Sequence, residues 1–357
     1  MRILVISFSV NGSMGDNFRL VTKYLSLTNE VIVLTNIGAF HQNGNHQKVY
    51  EIGFDRSHPS DFIRCSSFLK MYHIIKHTEF DVALFLSPHP ANIYLYHIIP
   101  SHKILAYVHD YELHSGISRL NKYFNLLQLK YFYHRSRKII VSCQYIKEQI
   151  LKKKYMNRAD DIEVNYLGLL ENHIYPIEQV KDDIDVLFFG RIEYYKGLDT
   201  LILSHQFLKN PNIRYTIIGK GNIKRIFGLN VPDFVDHIDD YISDRDLASY
   251  IQRAKMIVLP YRDATGTQTI QSIFYYKKPI IATRVGCFPE YISDSVDGFI
   301  IEPEHPRMLA DKIDTLYANE DMRKEMGMKG AQKLESIFNN QKINERYIEI
   351  CQSVIDE

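Results

Sequence analysis

The residues best suited to chemistry are two cations that follow one buried strand. The apolar run Val186–Phe189 ends at Gly190 and delivers Arg191, and a Lys196-Gly197 pair then precedes an amphipathic stretch. Arginine binds oxyanions through a planar fork and lysine binds them as a point charge, so the pair suits a diphosphate at the carboxyl edge of a parallel sheet. Either cation alone is compatible with a surface charge beside a turn, but together they predict diphosphate binding.

A later segment offers backbone groups to the same anion. The string LPYRDATGTQTIQSIFYYKKPIIATRVGCFPE places small polar residues, among them Gly266 and Thr267, before a helical pattern at Thr269–Tyr276. Free amides at the start of a helix favour negative charge. Gly219, after the strand Tyr215–Ile218, is a weaker companion that is equally compatible with a turn. Together these features predict a sugar-nucleotide site.

The first half carries a glycine-containing loop between Ser9 and Asp16, after the first apolar strand and before a helix. Gly12 and Gly15 would let backbone approach a ligand, and the helix amides would favour an anion. The loop lacks the full GxGxxG spacing, so a nicotinamide site is poorly supported. A simple tight turn between strand and helix remains an alternative.

His109 ends the fourth apolar strand, Ile104–Val108. Ligand-facing residues of parallel sheets lie at such carboxyl ends. A histidine here could contact a sugar hydroxyl or a reacting centre, although a lone histidine is often structural. Glu112 and His114, further along the loop, are weaker candidates.

Length and composition predict a two-domain globular protein. The chain has 357 residues, 45% of them hydrophobic and 24% charged, and roughly 150 residues is a usual domain size. A formal net charge of +1 argues against a general nucleic-acid binder. The scattered cysteines predict reduced core residues in a cytosolic protein: Cys65, Cys143, Cys287 and Cys351. No apolar run reaches the roughly 18 residues of a membrane span, and the initial MRILVISF is interpreted as a strand rather than a signal peptide.

Basic residues are concentrated in the first half. Between Ile117 and Arg158 there are 11 lysines and arginines against Glu148 alone. Such asymmetry suggests an anionic partner, here the head groups of a membrane surface. A solvated helix face with ordinary core aromatics explains the pattern equally well. The basic and aromatic residues concerned are Arg135, Arg137, Lys138, Lys152, Lys153, Lys154, Tyr123, Phe124, Tyr131, Phe132 and Tyr133.

Apolar strands alternate with amphipathic helices in both halves, which predicts an α/β protein with two doubly wound parallel sheets and a cleft between them. The predicted boundaries are a first domain at 1–169, a linker at 170–184, a second domain at 185–338 and a final helix at 339–357 that packs back on the first domain. Helices are clearest at Ile117–His134 and Tyr145–Lys153 in the first half.

The DxD sequence Asp183-Ile184-Asp185 looks like a metal signature. It precedes a strand instead of ending one, so its carboxylates lie at the wrong edge for the predicted site. We interpret it as part of a solvated linker, and no other spacing suggests a metal site or a cofactor.

These motifs resemble those of the retaining GT-B glycosyltransferases of family 4, which transfer sugars from nucleotide donors to lipid-linked or saccharide acceptors. The resemblance is most specific at LFFGRIEYYKG, YIQRAKMIVLPYRDATGTQ, KKPIIATRVGCFPEYI and DGFIIEPEHPRMLADKI. It implies that Arg191 and Lys196 bind the donor diphosphate, that Gly12 and Gly15 lie beside the donor sugar and phosphates, and that His109 lies near the reacting carbon. The acceptor is then expected on the first half.

The sequence departs from the family at one place. The family commonly carries two glutamates eight residues apart before the IIAT-like strand, and these positions fall here on Ala264 and Ser272. Asp263 is a candidate to replace the first acid. Ser272, Gln271 or Gln268 could still bond a ribose hydroxyl, but without charge.

The leading hypothesis is transfer of a hexosyl unit from a nucleoside diphosphate sugar with retained configuration. Arg191, Lys196 and the Gly266 and Thr267 amides would stabilise the departing diphosphate without a metal. Nothing clearly supplies the opposed carboxylates of retaining hydrolases, so front-side attack, which the resemblance implies, fits better. Two alternatives stay open: a non-catalytic sugar-nucleotide-binding subunit and a sugar-nucleotide epimerase.

The sequence leaves the acceptor and the donor base open, since Tyr241 and its neighbours would meet the base through backbone groups. The basic segment predicts a cytoplasmic enzyme that visits the inner face of the plasma membrane. A lipid-linked oligosaccharide acceptor, as in bacterial surface polysaccharide assembly, would explain where the charge lies.

Overall fold

The computed structural model describes residues 1–39, 47–53, 65–111, 129–156, 158–178 and 180–357. These residues form two compact units. The first contains the described residues up to Leu170 together with Asn340–Glu357, and the second contains Glu171–Asn339. Most of the segment that the sequence suggests as a linker therefore clusters with the second unit.

The described part of the first unit contains a parallel sheet in the order β3-β2-β1-β4-β5-β6-β7. Its strands are Arg2–Ser7 (β1), Glu30–Asn36 (β2), Gln47–Ile52 (β3), Val82–Phe85 (β4), Ile104–Val108 (β5), Lys138–Val141 (β6) and Ile162–Val164 (β7). Its helices are Gly12–Leu25 (α1), Cys65–Lys76 (α2), Asn92–Ile98 (α3) and Gln144–Lys152 (α4). Residues 129–135 are also helical.

Both faces of this first sheet are buried, as continuous apolar strands require. Side chains alternate between faces along a strand. Ile3 and Val5 of β1 accordingly join one core cluster with Phe18 of α1, whereas Leu4 and Ile6 join a second cluster.

The second unit contains a parallel sheet in the order β10-β9-β8-β11-β12-β13 among its described residues. Its strands are Val186–Phe189 (β8), Tyr215–Ile218 (β9), Val235–Ile238 (β10), Ile257–Leu259 (β11), Ile280–Thr283 (β12) and Gly298–Ile301 (β13). Its helices are Leu198–Ser204 (α5), Ile223–Phe227 (α6), Asp244–Arg253 (α7), Thr269–Tyr275 (α8), Phe288–Tyr291 (α9), Pro306–Ala318 (α10) and Glu320–Ser336 (α11).

The last helix, Asn340–Asp356 (α12), returns to the first unit. Its apolar stripe enters the core cluster that also holds Phe18 and Val21 of α1, through Ile343, Tyr347, Ile350, Cys351 and Val354. Near its end, the Lys138 Nζ of β6 donates to the Ser353 Oγ at 2.9 Å. The last helix thus belongs to the fold of the first unit.

The predicted α/β architecture with two doubly wound parallel sheets is confirmed. The predicted helix Ile117–His134 lies largely outside the described residues, as do Tyr123 and Phe124. No helix within the described ranges is both long enough and apolar enough to cross a bilayer.

Candidate functional site

The carboxyl edge of the second sheet gathers the residues predicted to bind a diphosphate. Because β8 lies between β9 and β11, the segments that follow these strands emerge side by side. The chain order of the strands reverses at β8, and parallel sheets bind ligands beside such a switch point. The segments concerned begin at Gly190, Gly219 and Pro260.

Glycines allow these segments to approach one another. A Cβ atom on Gly219 would lie 1.9 Å from the Gly190 carbonyl oxygen, and a Cβ on Gly197 would lie 2.0 Å from that of Pro260. Gly190, with φ +116°, has the Lys196 Nζ 2.7 Å from the place of its missing Cβ. Any larger residue at Gly197 or Gly219 would push main chain apart, so these glycines shape the edge.

Lys196 ends the 3₁₀ turn Tyr194–Lys196, and its ammonium lies within this edge. Its Nζ donates to the Tyr261 Oη at 2.9 Å and lies 4.8 Å from the Tyr261 ring centroid. Burial lowers the pKa of the ammonium, but the Tyr261 and Tyr195 hydroxyls and the hydrogen bond to Tyr261 outweigh burial, so the pKa lies above its ordinary value. Lys196 is therefore a fixed cation at neutral pH.

Arg191 contrasts with Lys196 in being exposed, with 62% of its side chain accessible to solvent. Its Nη1 lies 3.2 Å from the Glu193 Oε1, in a pair that solvent screens. The guanidinium is thus free to turn toward an anion at the same edge, since Arg191 directly follows Gly190.

Arg262, which the sequence did not single out, holds the edge together. Its guanidinium donates to the Asp199 Oδ2 at 2.5 Å, to the Glu304 Oε1 at 2.9 Å and to the Tyr194 carbonyl oxygen at 3.0 Å. Burial lowers the pKa of Arg262, but these two carboxylates more than compensate, and the pKa stays above its ordinary value. Only 13% of the side chain is exposed, so Arg262 is structural and not available to a ligand.

The loop after β11 contains the predicted acid and amides. Asp263, Gly266 and Thr267 are all half-buried. The helix α8 begins two residues beyond Thr267, whose Oγ1 accepts from the Thr269 amide at 3.1 Å. Asp263 stays the candidate acid of this loop.

The predicted ribose-binding residues differ in accessibility. Gln268 and Ser272 are half-buried, and the Ser272 Oγ donates to the Gln268 carbonyl oxygen at 3.4 Å. Gln271 is completely buried. Gln268 and Ser272 are thus partly accessible to solvent, whereas Gln271 is enclosed by the second unit.

The ends of β9 and β10 form a neighbouring exposed surface. Tyr241 is 68% exposed, and the Lys220 Nζ lies 5.7 Å from its ring centroid. The Gly221 amide donates to the Asp239 Oδ1 at 2.8 Å, which ties the two strand ends together. An exposed aromatic ring beside a cation can stack on a planar group.

In the first unit, α1 begins at Gly12, so Gly12 and Gly15 lie in the start of the helix and not in the loop from Ser9 to Asp16 that the sequence predicts. Gly12 has φ +66° and no neighbour around its missing Cβ, whereas a Cβ on Gly15 would lie 2.3 Å from the Val10 carbonyl oxygen. Arg19, which the sequence did not single out, donates to that same oxygen at 2.9 Å. Gly15 and Arg19 together fix the loop after β1.

His109 directly follows β5 and is half-buried. It lies on the wall of a small pocket of the first unit that Ser87 and Asn92 also line. The Ser87 Oγ is 2.8 Å from the Ser7 Oγ, so the ends of β1, β4 and β5 present polar groups together. Glu112 and His114 lie outside the described residues.

The basic segment is less free than its sequence suggests. Arg137 and Arg158 pair with Asp161, at 2.9 and 2.7 Å. Lys138 lies 3.5 Å from Glu163, and Arg135 donates to the Tyr96 carbonyl oxygen. Phe132 and Tyr133 are core residues. The basic side chains of this segment that stay exposed include Lys130, Lys152, Lys153 and Lys154.

The two aspartates of the DxD sequence are engaged in ion pairs. Asp183 binds Arg253 through two contacts of 2.8 Å. Asp185 pairs with Lys255 at 2.7 Å and accepts from the Arg214 amide at 3.1 Å. Both carboxylates therefore fix the entry into β8, at the opposite end of that strand from Gly190.

The family profile described as glycosyl transferases group 1 matches residues 171–333, which is almost the whole second unit. This unit is a group 1 glycosyltransferase domain. The residues described above at the carboxyl edge of the second sheet, from Gly190 to Ser272, all lie within this domain.

Among curated proteins, the chain resembles an uncharacterized glycosyltransferase of Methanocaldococcus jannaschii. The two are 31% identical over 235 residues, or 63% of each chain. The capsular polysaccharide biosynthesis glycosyltransferase CapM of Staphylococcus aureus is 25% identical over 45% of this chain and 44% of its own. The matches thus span less than two thirds of these relatives.

Solved structures match both units. Sucrose-phosphate synthase from Thermosynechococcus elongatus superposes with a TM-score of 0.76 at 16% identity, over 100% of this chain and 99% of its own. Anabaena HepE, determined with UDP and glucose, gives 0.74 at 16% identity over 99% and 100%. The group 1 glycosyltransferase domain and the first unit together therefore have the two-domain GT-B fold.

Proposed function

We propose that this protein is a retaining glycosyltransferase that moves a hexosyl unit from a nucleoside diphosphate sugar to a saccharide or lipid-linked saccharide acceptor. The observation that carries the proposal is the pair of cations at the switch point of the second sheet. Lys196 is held there by a hydrogen bond to the Tyr261 Oη, and Arg191 is exposed at the same edge. Two cations at a glycine-lined edge suit a diphosphate.

In the proposed reaction, the bond from the anomeric carbon to the diphosphate oxygen breaks, and an acceptor hydroxyl attacks from the same face. The hydroxyl proton passes to the departing phosphate oxygen. Negative charge grows on the diphosphate, where Lys196 and Arg191 stabilise it. The amides of Gly266 and Thr267 add to this stabilisation, so the proposed mechanism uses no metal.

The remaining roles follow the same proposal. Gln268 and Ser272 bond the ribose hydroxyls, and Tyr241 lies beside the base. Asp263 replaces the first acid of the family. Gly12, Gly15 and His109 of the first unit act on the sugar and its reacting carbon.

The proposed setting is the assembly of a bacterial surface polysaccharide at the inner face of the plasma membrane. Support comes from two relatives, CapM and an O-antigen chain mannosyltransferase of Escherichia coli, which is 22% identical over 68% of this chain. The exposed run Lys152–Lys154 supplies the cations for contact with anionic lipid. Each lysine near such a surface contributes about 1 kcal/mol.

A thermal-shift screen of UDP-, GDP- and ADP-sugars tests the donor part of this proposal. The true donor stabilises the fold by mass action, by about 2.7 kcal/mol at a concentration one hundredfold above its Kd. Product analysis then separates the reactions: transfer or slow donor hydrolysis supports a transferase, and an isomerised sugar nucleotide indicates an epimerase. Tight binding without turnover on any acceptor would instead indicate a non-catalytic subunit.

A further inference from the structure

The environment of Lys196 is unusual for a partly buried cation, because its partner is a phenol. Within the described ranges, its side-chain hydrogen bond goes to the Tyr261 Oη, and no carboxylate pairs with it. A buried ammonium is usually paired with an opposite charge. A phenol instead orients the ammonium and leaves its full charge available to an anion.

Tyr261 is itself held firmly. It is 5% exposed, its ring packs against Phe288 at 5.3 Å between centroids, and its carbonyl oxygen accepts from the Thr283 Oγ1 at 2.5 Å. The next residue, Arg262, donates its amide to the Tyr195 carbonyl oxygen at 2.7 Å. The residues after β11 thus hold the turn that carries Lys196 in two ways. The Tyr261 side chain binds the Lys196 ammonium, and the Arg262 amide binds the main chain of the turn.

We infer that Tyr261 is a positioning residue, which orients the Lys196 ammonium so that it can bind the diphosphate of the donor. This inference rests on the function proposed above. Tyr261 holds the Nζ beside Gly190, where a Cβ atom would lie 2.7 Å from it. The hydrogen bond selects one rotamer of a flexible side chain before the ligand arrives, which lowers the entropy cost of binding.

The first test follows the reactivity of Lys196 and needs no substrate. Acetic anhydride acetylates the neutral amine and releases acetate, so peptide mass spectrometry reports how much of each lysine is neutral and accessible. We expect Tyr261→Phe to accelerate acetylation of Lys196 at alkaline pH severalfold, while Lys220 on the same edge keeps its rate. Tyr195→Phe removes a neighbouring hydroxyl but keeps the hydrogen bond between Tyr261 and Lys196, so this comparison variant should change the Lys196 rate less than Tyr261→Phe does.

The second test is a double-mutant cycle on nucleotide binding, with whichever of UDP, GDP and ADP binds the wild-type protein. Tyr261→Phe should weaken binding about tenfold or more, as expected for a hydrogen bond to a charged group. In a Lys196→Ala background the same change should cost less than about twofold, because the residue through which Tyr261 acts is gone.

The outcomes separate this inference from the proposed function. Unchanged acetylation of Lys196 in Tyr261→Phe, or equal losses of binding in both backgrounds, would overturn the positioning role. If no nucleotide binds the wild-type protein, the proposed function and the role of Tyr261 in donor binding both fail. The acetylation result would in that case show only whether Tyr261 restrains Lys196.

Discussion

Gly286 lies so close to Ala264 that no side chain fits between them. A Cβ atom on Gly286 would be 1.9 Å from the Ala264 carbonyl oxygen, and Gly286 itself has φ +51°. The Cys287 amide donates to the Thr265 carbonyl oxygen at 3.3 Å. The turn after β12 therefore braces the loop after β11, from which the proposed acid and phosphate-binding amides project.

We predict that Gly286→Ala displaces this loop and lowers kcat/KM for the donor by at least about tenfold, because the added methyl group collides with main chain. Gly228→Ala is the matched control. Gly228 has a similar φ of +72°, but its missing Cβ has no neighbour within 4 Å. In thermal unfolding, the control should lose about 1 kcal/mol of unfolding free energy, and Gly286→Ala should lose more. If Gly286→Ala and Gly228→Ala lowered the stability and the activity by the same amounts, the bracing role of Gly286 would be contradicted.

Arg262 gives a prediction about stability. Arg262→Lys keeps the charge, but lysine cannot donate to Asp199, Glu304 and Tyr194 at the same time. The free energy of unfolding of the second unit, measured in urea, should therefore fall by about 2–3 kcal/mol. Arg253→Lys is the control, since Arg253 also binds a carboxylate, Asp183, through two contacts but is more exposed. An exposed pair of this kind contributes about 1 kcal/mol or less. Equal losses of unfolding free energy in the two variants would contradict this role of Arg262.

The thiol of Cys351 makes the stability of the first unit sensitive to alkaline pH. Burial raises the pKa of Cys351 from 9.0 to about 12. As pH rises through this window, the unfolded chain loses a proton that the folded chain keeps, so the free energy of unfolding falls. Below about pH 9 the thiol of Cys351 makes its full contribution to the free energy of unfolding. Above that pH the free energy of unfolding falls, by up to about 1.4 kcal/mol per pH unit for this one proton.

Cys351→Ala should therefore flatten the decline of urea-unfolding free energy between pH 9 and 11. The buried Tyr347 hydroxyl, whose pKa is also raised by burial, continues to contribute at higher pH in both proteins. Identical pH slopes for the variant and the wild-type protein would show that the thiol does not contribute.

Membrane contact should depend on the exposed lysines rather than on the whole basic segment. We predict that changing Lys152, Lys153 and Lys154 together to glutamine abolishes flotation with anionic vesicles at low salt. The control changes Lys324 and Lys329 of α11, which are exposed lysines of the second unit, and should leave flotation intact. Flotation of the triple variant at the wild-type level, or no flotation of the wild-type protein, would refute the membrane proposal.

The sequence predicts the interior of both sheets better than their edges. Continuous apolar runs such as Val186–Phe189 identify the central strands, because both of their faces are buried. The strands that the sequence did not reveal are β3, β7 and β10, each at an edge of its sheet. The Val235–Ile238 strand, VDHI, is half-exposed and carries two polar residues, so it lacks an apolar run.

Long-range pairing explains what the sequence could not show at the site. Arg262 looks like any loop arginine until the fold brings Asp199 and Glu304 to it. The basic segment similarly ends in sequence just before Asp161 and Glu163, and the fold then neutralises part of its charge. By contrast, Gly190, Arg191 and Lys196 could be predicted, because a strand end and the following turn are adjacent in sequence.

The most direct test of the central claim is the turnover of Arg191→Ala combined with Lys196→Ala, assayed with the donor that the thermal-shift screen identifies. Loss of both cations should lower kcat/KM by at least about a thousandfold, since a few kcal/mol of transition-state stabilisation disappear. Arg284→Ala, which removes an exposed arginine paired with Glu302, should stay within about twofold of the wild-type protein. Full turnover by the double variant would contradict the proposal that these cations stabilise the leaving diphosphate.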